Sequence, residues 1–315
     1  YEHMLLHADD ALVVSENAER VLRDELGRCF TLKEESIGPP KTHLGGSVRK
    51  VQLDNGVECW AFSSSQHVQA AVKNVEECLS KRDDVNWVLP SKAETPLCTS
   101  HRPELDVSPE LQPTDAACCM SLIGMLRWIV ELGRVDVCLE CSMLSSHLAL
   151  PREGHLHQLF QVFACLKKHH NTEMVCDPSN PVIDESAFEQ KDWTSSEFGH
   201  IQGKEELPGN MPEPRGQGFV ISAKVDADHA ADTVTRRSRT GFFVCLNCAP
   251  VYWLSKKQTS CESSSFGSEF VAMKQCCEYL RGLRYKLRMM GIPCEGPAYI
   301  FGDNQSALTS CGIPD

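Results

Sequence analysis

Three acidic residues in the last hundred positions constrain the fold most, because each stands at or beside the edge of an apolar element. Asp226 follows one apolar run, Glu269 lies in a long helical pattern, and Asp303 ends a further apolar run. The predicted elements are a strand at 218–225, two strands within 240–254 joined by a turn at 247–250, a helix, and a strand at 297–302. This order predicts an α/β domain in which the three carboxylates meet at one end of a sheet.

The predicted helix carries apolar residues at steps of three and four, which is the spacing of one buried helical face. Glu269 directly precedes one of these residues, so we expect its carboxylate to face whatever the helix packs against. The predicted buried positions are Phe266, Phe270, Met273, Cys277, Leu280, Leu283 and Leu287.

Three carboxylates held close together repel one another unless a cation lies among them. Oxygen ligands of this kind suit Mg²⁺ or Mn²⁺. Two such ions, roughly 3.5–4 Å apart, commonly cleave phosphodiesters, since one activates water and the other stabilises the leaving oxygen. The pattern therefore predicts a metal-dependent hydrolytic site formed by Asp226, Glu269 and Asp303. The alternative is three unrelated surface acids.

Five short motifs in this region resemble, in the same order, those of the ribonuclease H domain of copia-type LTR retrotransposon Pol polyproteins. They span residues 226–228, 235–241, 253–258, 268–270 and 302–307. The resemblance implies a ribonuclease H fold with a mixed sheet, cleavage of RNA in RNA–DNA hybrids, and catalytic, metal-binding roles for Asp226, Glu269 and Asp303. The family places a further acidic or histidine residue well downstream. Because the sequence ends at Asp315, we expect that position to be absent and cleavage to be weak or to need Mn²⁺.

Charge gives a mixed signal about nucleic-acid binding. The formal net charge of −12 is not typical of a nucleic-acid-binding protein, yet short basic runs occur between the acidic motifs. We expect these runs, and the two amide residues after Asp303, to contact the RNA–DNA hybrid. The predicted substrate-binding residues of this region are Arg236, Arg237, Lys256, Lys257, Asn304 and Gln305.

The first residues contain another acidic motif, at a predicted turn between two short apolar strands. Asp9 and Asp10 in this turn resemble the Tyr-x-Asp-Asp motif of copia-type reverse transcriptases, although His7 stands where tyrosine is expected. The resemblance implies that both aspartates are catalytic metal ligands acting on an RNA template and a DNA primer. Leu44 and Gly45 resemble the family's primer-grip region. A solvated turn is the alternative for the aspartate pair.

The resemblance and the composition together predict four segments and an overall α/β fold class. Residues 1–100 would be the end of a reverse-transcriptase palm, 101–175 a helical thumb or connection, 176–214 a linker, and 215–315 the truncated ribonuclease H-like domain. The other predicted elements are helices at 17–27, 66–79, 115–132, 136–148 and 152–169, and a hairpin with its turn at 54–56. Since the family's earlier palm aspartate and its fingers are not in this sequence, we expect no DNA polymerisation by this chain alone.

Cysteine content and hydropathy bear on the cellular compartment. The chain has 17 cysteines but neither an N-terminal apolar leader nor a run of about 20 apolar residues, so we expect no membrane association. We expect reduced thiols in an intracellular protein, in a cytoplasmic virus-like particle or the nucleus. The pairs Cys138/Cys141 and Cys245/Cys248 raise the question of zinc, but buried or incidental cysteines are the simpler interpretation.

These features predict a fragment of a retrotransposon Pol polyprotein that joins an incomplete RNA-directed DNA polymerase to a ribonuclease H domain. Its expected partners are an RNA–DNA hybrid, an RNA template with a DNA primer, and other parts of the polyprotein. A second hypothesis is a decayed or repurposed remnant that binds nucleic acid or protein without catalysis, which His7 and the absent fourth metal ligand favour. A third is a zinc-dependent interaction module.

Overall fold

A computed structural model describes residues 1–8, 10–80, 88–97, 101–188 and 207–311 of the chain. The strands are β1 (His3–His7), β2 (Asp10–Val14), β3 (Thr42–His43), β4 (Gly46–Gln52), β5 (Glu58–Ser63), β6 (Met174–Cys176), β7 (Ile221–Asp228), β8 (Arg239–Leu246), β9 (Ala249–Lys257) and β10 (Ala298–Phe301). The α-helices are α1 (Ala18–Arg20), α2 (Ser65–Ser80), α3 (Pro113–Glu131), α4 (Cys138–Ser145), α5 (Glu153–Lys168), α6 (Ser265–Met289) and α7 (Gln305–Cys311). This mixture of helices and sheets confirms the predicted α/β fold class.

Two antiparallel sheets come mainly from the first part of the chain. β1 and β2 form a hairpin in which His7 pairs with Asp10, as the two predicted short strands require. β3, β4, β5 and β6 form the second sheet in that order. The predicted turn at 54–56 joins β4 to β5, and Gly56 there has φ +83°, a conformation that glycine adopts without strain. β6 follows the helices in sequence, so its pairing with β5 ties the helical segment back to this sheet.

The helical segment packs around one apolar core. The predicted stripe of α2 is completely buried, from Val68 at 0% exposure to Leu79 at 7%. α3, α4 and α5 pack with α2 and match the predicted helices at 115–132, 136–148 and 152–169. The second of these is shorter than predicted, because its first turn is a 3₁₀ turn at Val135–Val137. The helix predicted at 17–27 is also divided, into α1, a π-helical turn and a 3₁₀ turn.

The C-terminal part of the chain is a four-stranded sheet packed against α6. The strand order is β10-β7-β8-β9, with β10 parallel to β7 and the other pairs antiparallel. Side chains alternate between the two faces of a strand, so Ala223 and Val225 of β7 enter the core with Ala272 and Cys276 of α6. Asp226, between two buried residues of β7, is consequently left exposed.

The face that α6 buries differs from the predicted one in the first half of the helix. Phe266 and Phe270 were expected in the core, but they are 38% and 42% exposed and stack on each other. Ala272 and Cys276 face the sheet instead and have no exposed surface. Their small side chains let the helix approach β7 closely, and this rotation turns both phenylalanines outward. Met273, Leu280 and Leu287 are buried as predicted, whereas Cys277, which was also expected in the core, is exposed.

The C-terminal sheet also contacts the helical segment. The Trp253 indole of β9 donates a hydrogen bond to the carbonyl of Val130 at 3.2 Å. The Arg239 guanidinium at the start of β8 donates to the hydroxyl of Ser142. These two hydrogen bonds join the segments predicted as 101–175 and 215–315, whose exact limits stay predictions.

Three expectations drawn from composition concern membrane-spanning helices, disulfides and zinc sites. Within them, no helix has both the length and the apolar character needed to cross a lipid bilayer. No cysteine of those ranges forms a disulfide. Neither Cys-x-x-Cys pair belongs there to a group of three or more residues placed to hold a metal ion.

Candidate metal centre

The pairing of two parallel strands brings Asp226 and Asp303 together. Phe301, the last residue of β10, lies opposite Lys224 of β7. Both aspartates come two residues after this pair, so the register alone places them at the same level of the sheet. Because β10 ends at Phe301, Asp303 lies just beyond the end of its strand, whereas Asp226 is still within β7.

Glu269 reaches the same place from the beginning of α6. The helix follows the N-cap residue Ser264, whose hydroxyl accepts a hydrogen bond from the Gly267 amide at 3.2 Å. Glu269 follows within the next turn and is only 8% exposed. A carboxylate buried without a cationic partner is costly, and such groups are often found at functional sites.

The three carboxylates form one cluster. A ligand oxygen from each of Asp226, Glu269 and Asp303 lies within 4.8 Å of the other two. In the part of the chain that the structure describes, this is the single group of three or more potential metal ligands. Burial, and then the negative charges of the two aspartates, raise the pKa of Glu269 from 4.5 to about 7. A set of oxygen donors with this excess of negative charge fits Mg²⁺ or Mn²⁺.

A cavity of about 410 Å³ lies beside Asp226, between α4 and the C-terminal sheet. Cys138 and Leu139 line it from α4, while Lys224, Asp226 and Asp228 line it from β7. These three residues of β7 alternate with buried ones and therefore share the strand face that is turned away from the core. The cavity thus borders Asp226, whereas Glu269 and Asp303 do not line it.

The four predicted basic contacts have different surroundings. Arg236 and Arg237 are exposed in the loop between β7 and β8, and Arg236 has a left-handed φ of +58°. Lys256 is exposed on β9. Lys257 forms an ion pair with Asp232, with Nζ and Oδ2 2.5 Å apart, so it already has a partner within the fold. Their binding to a substrate stays a prediction.

Asn304 and Gln305 lie where the chain passes from Asp303 into the last described helix. The Asn304 side-chain oxygen accepts a hydrogen bond from the Ala307 amide at 3.0 Å, so this residue caps α7. Gln305 is the first residue of α7 and is exposed. The cap fixes the turn that directly follows Asp303, and binding of either residue to substrate stays a prediction.

The N-terminal acidic motif lies apart from any such cluster in the described ranges. Asp10 opens β2 and is exposed, whereas Asp9 lies outside the described residues. Leu44 and Gly45 form the two-residue turn between β3 and β4, with φ of +51° and +78°. Positive φ at both positions is typical of tight hairpins. The polymerase roles of these four residues stay predictions.

Sequence reasoning missed a group of polar residues beside Glu269. Gln258 is only 2% exposed and bonds to the neighbouring Ser268, which has no exposed surface. The Ser268 hydroxyl is in turn 3.3 Å from Nδ1 of His229. Gln258 ends one of the five sequence motifs and Ser268 begins the next, and these positions are the signal that could have identified them.

The chain is similar in sequence to transposon polyproteins. It is 22% identical to the retrovirus-related Pol polyprotein from transposon RE2 and 21% identical to that from transposon RE1, both of Arabidopsis thaliana, over 99% of its length. It is also 22% identical, over 81% of its length, to a putative transposon Ty5-1 protein of Saccharomyces cerevisiae, 66% of which it covers. The chain spans 18% of the length of each Arabidopsis polyprotein.

No protein-family profile and no solved structure matches the chain. The similarity to the polyproteins nevertheless extends from end to end of the chain, across the N-terminal hairpin, the helices and the carboxylate cluster. The chain is therefore a weak homologue, along its whole length, of retrovirus-related Pol polyproteins from transposons.

Proposed function

We propose that residues 215–315 form a ribonuclease H-like domain that hydrolyses the RNA strand of RNA–DNA hybrids, within a copia-type Pol polyprotein segment. The observation that carries this proposal is the convergence of Asp226, Glu269 and Asp303 from a strand, a helix and the end of a second strand. Oxygen-only clusters of this kind suit the two-ion hydrolysis of phosphodiesters. Similarity to transposon Pol polyproteins supports the setting in which this chemistry would operate.

The proposed cofactor is Mg²⁺ or Mn²⁺, which all three carboxylates would hold. The donor set fits because every ligand atom is a carboxyl oxygen, and because burial and the two neighbouring carboxylates both disfavour the charged form of Glu269, which a bound cation would offset. Ions bound there would activate an attacking water and stabilise the leaving 3′-oxygen.

The chain's own residues have distinct parts in this mechanism. Asp226 and Asp303 are exposed and offer their carboxylates on the side that a scissile phosphate can approach. Glu269 is buried and its pKa is raised to about 7, so a cation that binds the charged carboxylate must displace its proton up to a higher pH than at an ordinary glutamate. Cation binding should therefore strengthen as the pH rises through about 7.

Substrate binding is proposed for basic and amide residues around the cluster. Arg236 and Arg237 are exposed on the loop that follows β7, and Lys256 is exposed on β9, which supports the proposal that all three contact phosphates of the hybrid. Gln305 is exposed two residues beyond Asp303. Hydrogen bonds to the 2′-hydroxyl groups would distinguish the RNA strand from DNA.

For the rest of the chain we propose the end of a reverse-transcriptase palm at 1–100 and a thumb or connection at 101–175. The support is local geometry: the β1–β2 hairpin presents Asp10 beside its turn, and Leu44 and Gly45 form a second tight hairpin turn. In the polyprotein, Asp9 and Asp10 would act on an RNA template and a DNA primer.

Cleavage of a labelled RNA–DNA hybrid by the full chain tests the main proposal. Wild type, Asp303→Asn and Glu278→Gln would be compared in Mg²⁺ and in Mn²⁺. Glu278 is an exposed residue of α6 that pairs with Lys274, so its variant makes a similar charge change away from the cluster. We expect Glu278→Gln to cleave like wild type, and Asp303→Asn to be at least about a hundredfold slower. Equal cleavage by wild type and Asp303→Asn, or none by folded wild type, would leave the non-catalytic remnant as the better hypothesis.

A further inference from the structure

Gln258 directly follows β9 and is held at the end of the sheet by its main chain. The main-chain N–H of Gln258 donates a hydrogen bond to the carbonyl of Ser238 at 2.8 Å. The side-chain nitrogen Nε2 donates twice, to Oγ1 of Thr240 at 3.1 Å and to the carbonyl of Ser268 at 2.9 Å. A carbonyl can only accept, so Nε2 rather than Oε1 must face Ser268. These two hydrogen bonds therefore fix the orientation of the Gln258 side-chain amide.

Ser268 immediately precedes Glu269, so whatever holds Ser268 also holds the metal ligand. The Ser268 hydroxyl donates to the carbonyl of Ser265 at 2.8 Å and lies 3.3 Å from Nδ1 of His229, the residue that follows β7. A buried polar network therefore runs from β8 through Gln258 to the first turns of α6, and from there to the end of β7.

Apolar packing in the core is limited at this end of the helix. Phe266 and Phe270, the large apolar side chains of the first turns of α6, are 38% and 42% exposed and lie outside the core. Close packing against the sheet begins at Ala272, one turn beyond Glu269. The hydrogen bond from Gln258 to the Ser268 carbonyl is consequently placed to fix the position of Glu269.

Stability alone does not explain an amide at this position. Oε1 of Gln258 is buried and has no hydrogen-bond partner among the described residues. An unsatisfied buried oxygen is unfavourable, and an apolar side chain of similar size would avoid it. The residue type is therefore better explained by the donor that it supplies to α6 than by the stability of the core.

We propose that Gln258 is a positioning residue for the metal centre, holding Glu269 at the separation from Asp226 at which both can bind the same cation. This inference rests on the proposed function. Residues that orient a metal ligand without touching the metal typically change metal affinity about 10–100-fold when they are replaced.

The test is Mg²⁺ binding by the full-length chain, measured by titration calorimetry together with the melting temperature of each protein. Gln258→Leu removes the hydrogen-bond donor and replaces it with an apolar side chain of similar bulk. We expect its Mg²⁺ affinity to fall about tenfold or more, with a small change in melting temperature. Leu287→Ala is the matched control, because Leu287 is buried near the far end of the same helix. It should lower the melting temperature and change Mg²⁺ affinity less than about twofold.

A second pair of variants examines the other end of the same hydrogen-bond network. Thr240→Ser keeps the hydroxyl that Gln258 binds and should bind Mg²⁺ like wild type, whereas Thr240→Val removes it and should weaken binding.

If wild type binds Mg²⁺ and Gln258→Leu binds it equally well, the positioning role is wrong and the proposed function stands. An equal loss of affinity in Leu287→Ala would also overturn the role, because the effect would then follow general destabilisation. Wild type that binds no Mg²⁺ would remove the proposed metal centre and the positioning role with it.

Discussion

Replacing Glu269 by glutamine should stabilise the metal-free protein at alkaline pH and abolish its response to Mg²⁺. Glutamine keeps the shape of the side chain but has no charge. Glu269 is 8% exposed, and burial together with two neighbouring carboxylates raises its pKa from 4.5 to about 7. Above that pH, the folded wild-type protein must keep a third negative charge in the cluster, whereas the variant need not.

The size of the effect follows from the two pKa values. Between pH 4.5 and about 7 the folded protein retains a proton that the unfolded chain has lost, so stability decreases as the pH rises. The contribution is fully present below the unfolded pKa and is lost as the pH rises through the folded pKa. Integration gives a loss of roughly 2.5 kcal/mol between about pH 5 and about pH 8 in the wild type. The glutamine variant lacks this loss, so between these two pH values it should gain about 2.5 kcal/mol of stability relative to wild type.

Chemical denaturation at about pH 5 and about pH 8, with chelator and with excess Mg²⁺, measures each of these quantities. Mg²⁺ at about a hundred times its dissociation constant should stabilise wild type by about 2.7 kcal/mol, and Glu269→Gln much less. Glu278→Gln is the control, because it removes a charge from an exposed position of the same helix. If wild type and Glu269→Gln respond equally to pH in chelator, Glu269 does not carry an unfavourable buried charge and the electrostatic reasoning is wrong.

Two further predictions concern charged residues around the cluster. Replacing both Arg236 and Arg237 by alanine should weaken hybrid binding and reduce the slope of log K against log salt by about 0.9 for each phosphate that the variant no longer neutralises. Salt-dependent binding titrations measure this slope, and an unchanged slope would exclude the loop from the interface. For Asp232, burial acts to raise the pKa, but hydrogen bonds from Lys257 and Thr235 outweigh it and lower the pKa from 3.8 to about 2. Its stabilising effect is present above pH 3.8 and is lost as the pH falls through about 2, so Asp232→Asn should cost about 2 kcal/mol near neutral pH and less than about 0.5 kcal/mol at about pH 2. Acid denaturation curves that coincide for the two proteins at every pH would contradict it.

The strands and helices were largely predictable because their signals are local. The turn at 54–56 and the stripe of α2 are each specified within about fifteen residues, and each was found where it was expected. The strand predicted at 218–225 is displaced to Ile221–Asp228, so Asp226 lies within the strand and not after it. The pairing of β6 with β5 was not predictable in the same way. Three residues, Met174–Cys176, return to a sheet after more than a hundred intervening positions, and nothing in the local pattern specifies that partner.

The error in α6 has a different origin. The helix carries apolar residues on more than one face, so periodicity permits two choices for the buried stripe. The face with Phe266 and Phe270 was predicted because apolar residues recur along it at steps of three and four. The fold buries Ala272 and Cys276 instead, because a helix that passes close to a strand needs small residues where the two meet. This choice also brings Glu269 to the sheet, so the same rotation that exposes the phenylalanines forms the carboxylate cluster.

The lysines of β9 show a limit of reasoning from composition. Lys256 and Lys257 are adjacent and identical in type, and sequence gives no reason to separate them. In the fold, successive residues of a strand point to opposite sides. Lys256 is exposed, whereas Lys257 reaches the buried Asp232. A basic pair in a strand therefore offers at most one side chain to any one face of the sheet.

The strength of the proposed function lies in the independence of its two supports. Similarity to transposon polyproteins rests on about one residue in five, spread along the chain, and contains no distances. The carboxylate cluster rests on the register of β10 with β7 and on the seating of α6, and would be noticed in a chain with no known relative. Acids brought together from three elements destabilise a fold unless a cation offsets their repulsion. A chain that binds divalent ions would retain such an unfavourable arrangement at the accessible end of an otherwise well-packed sheet.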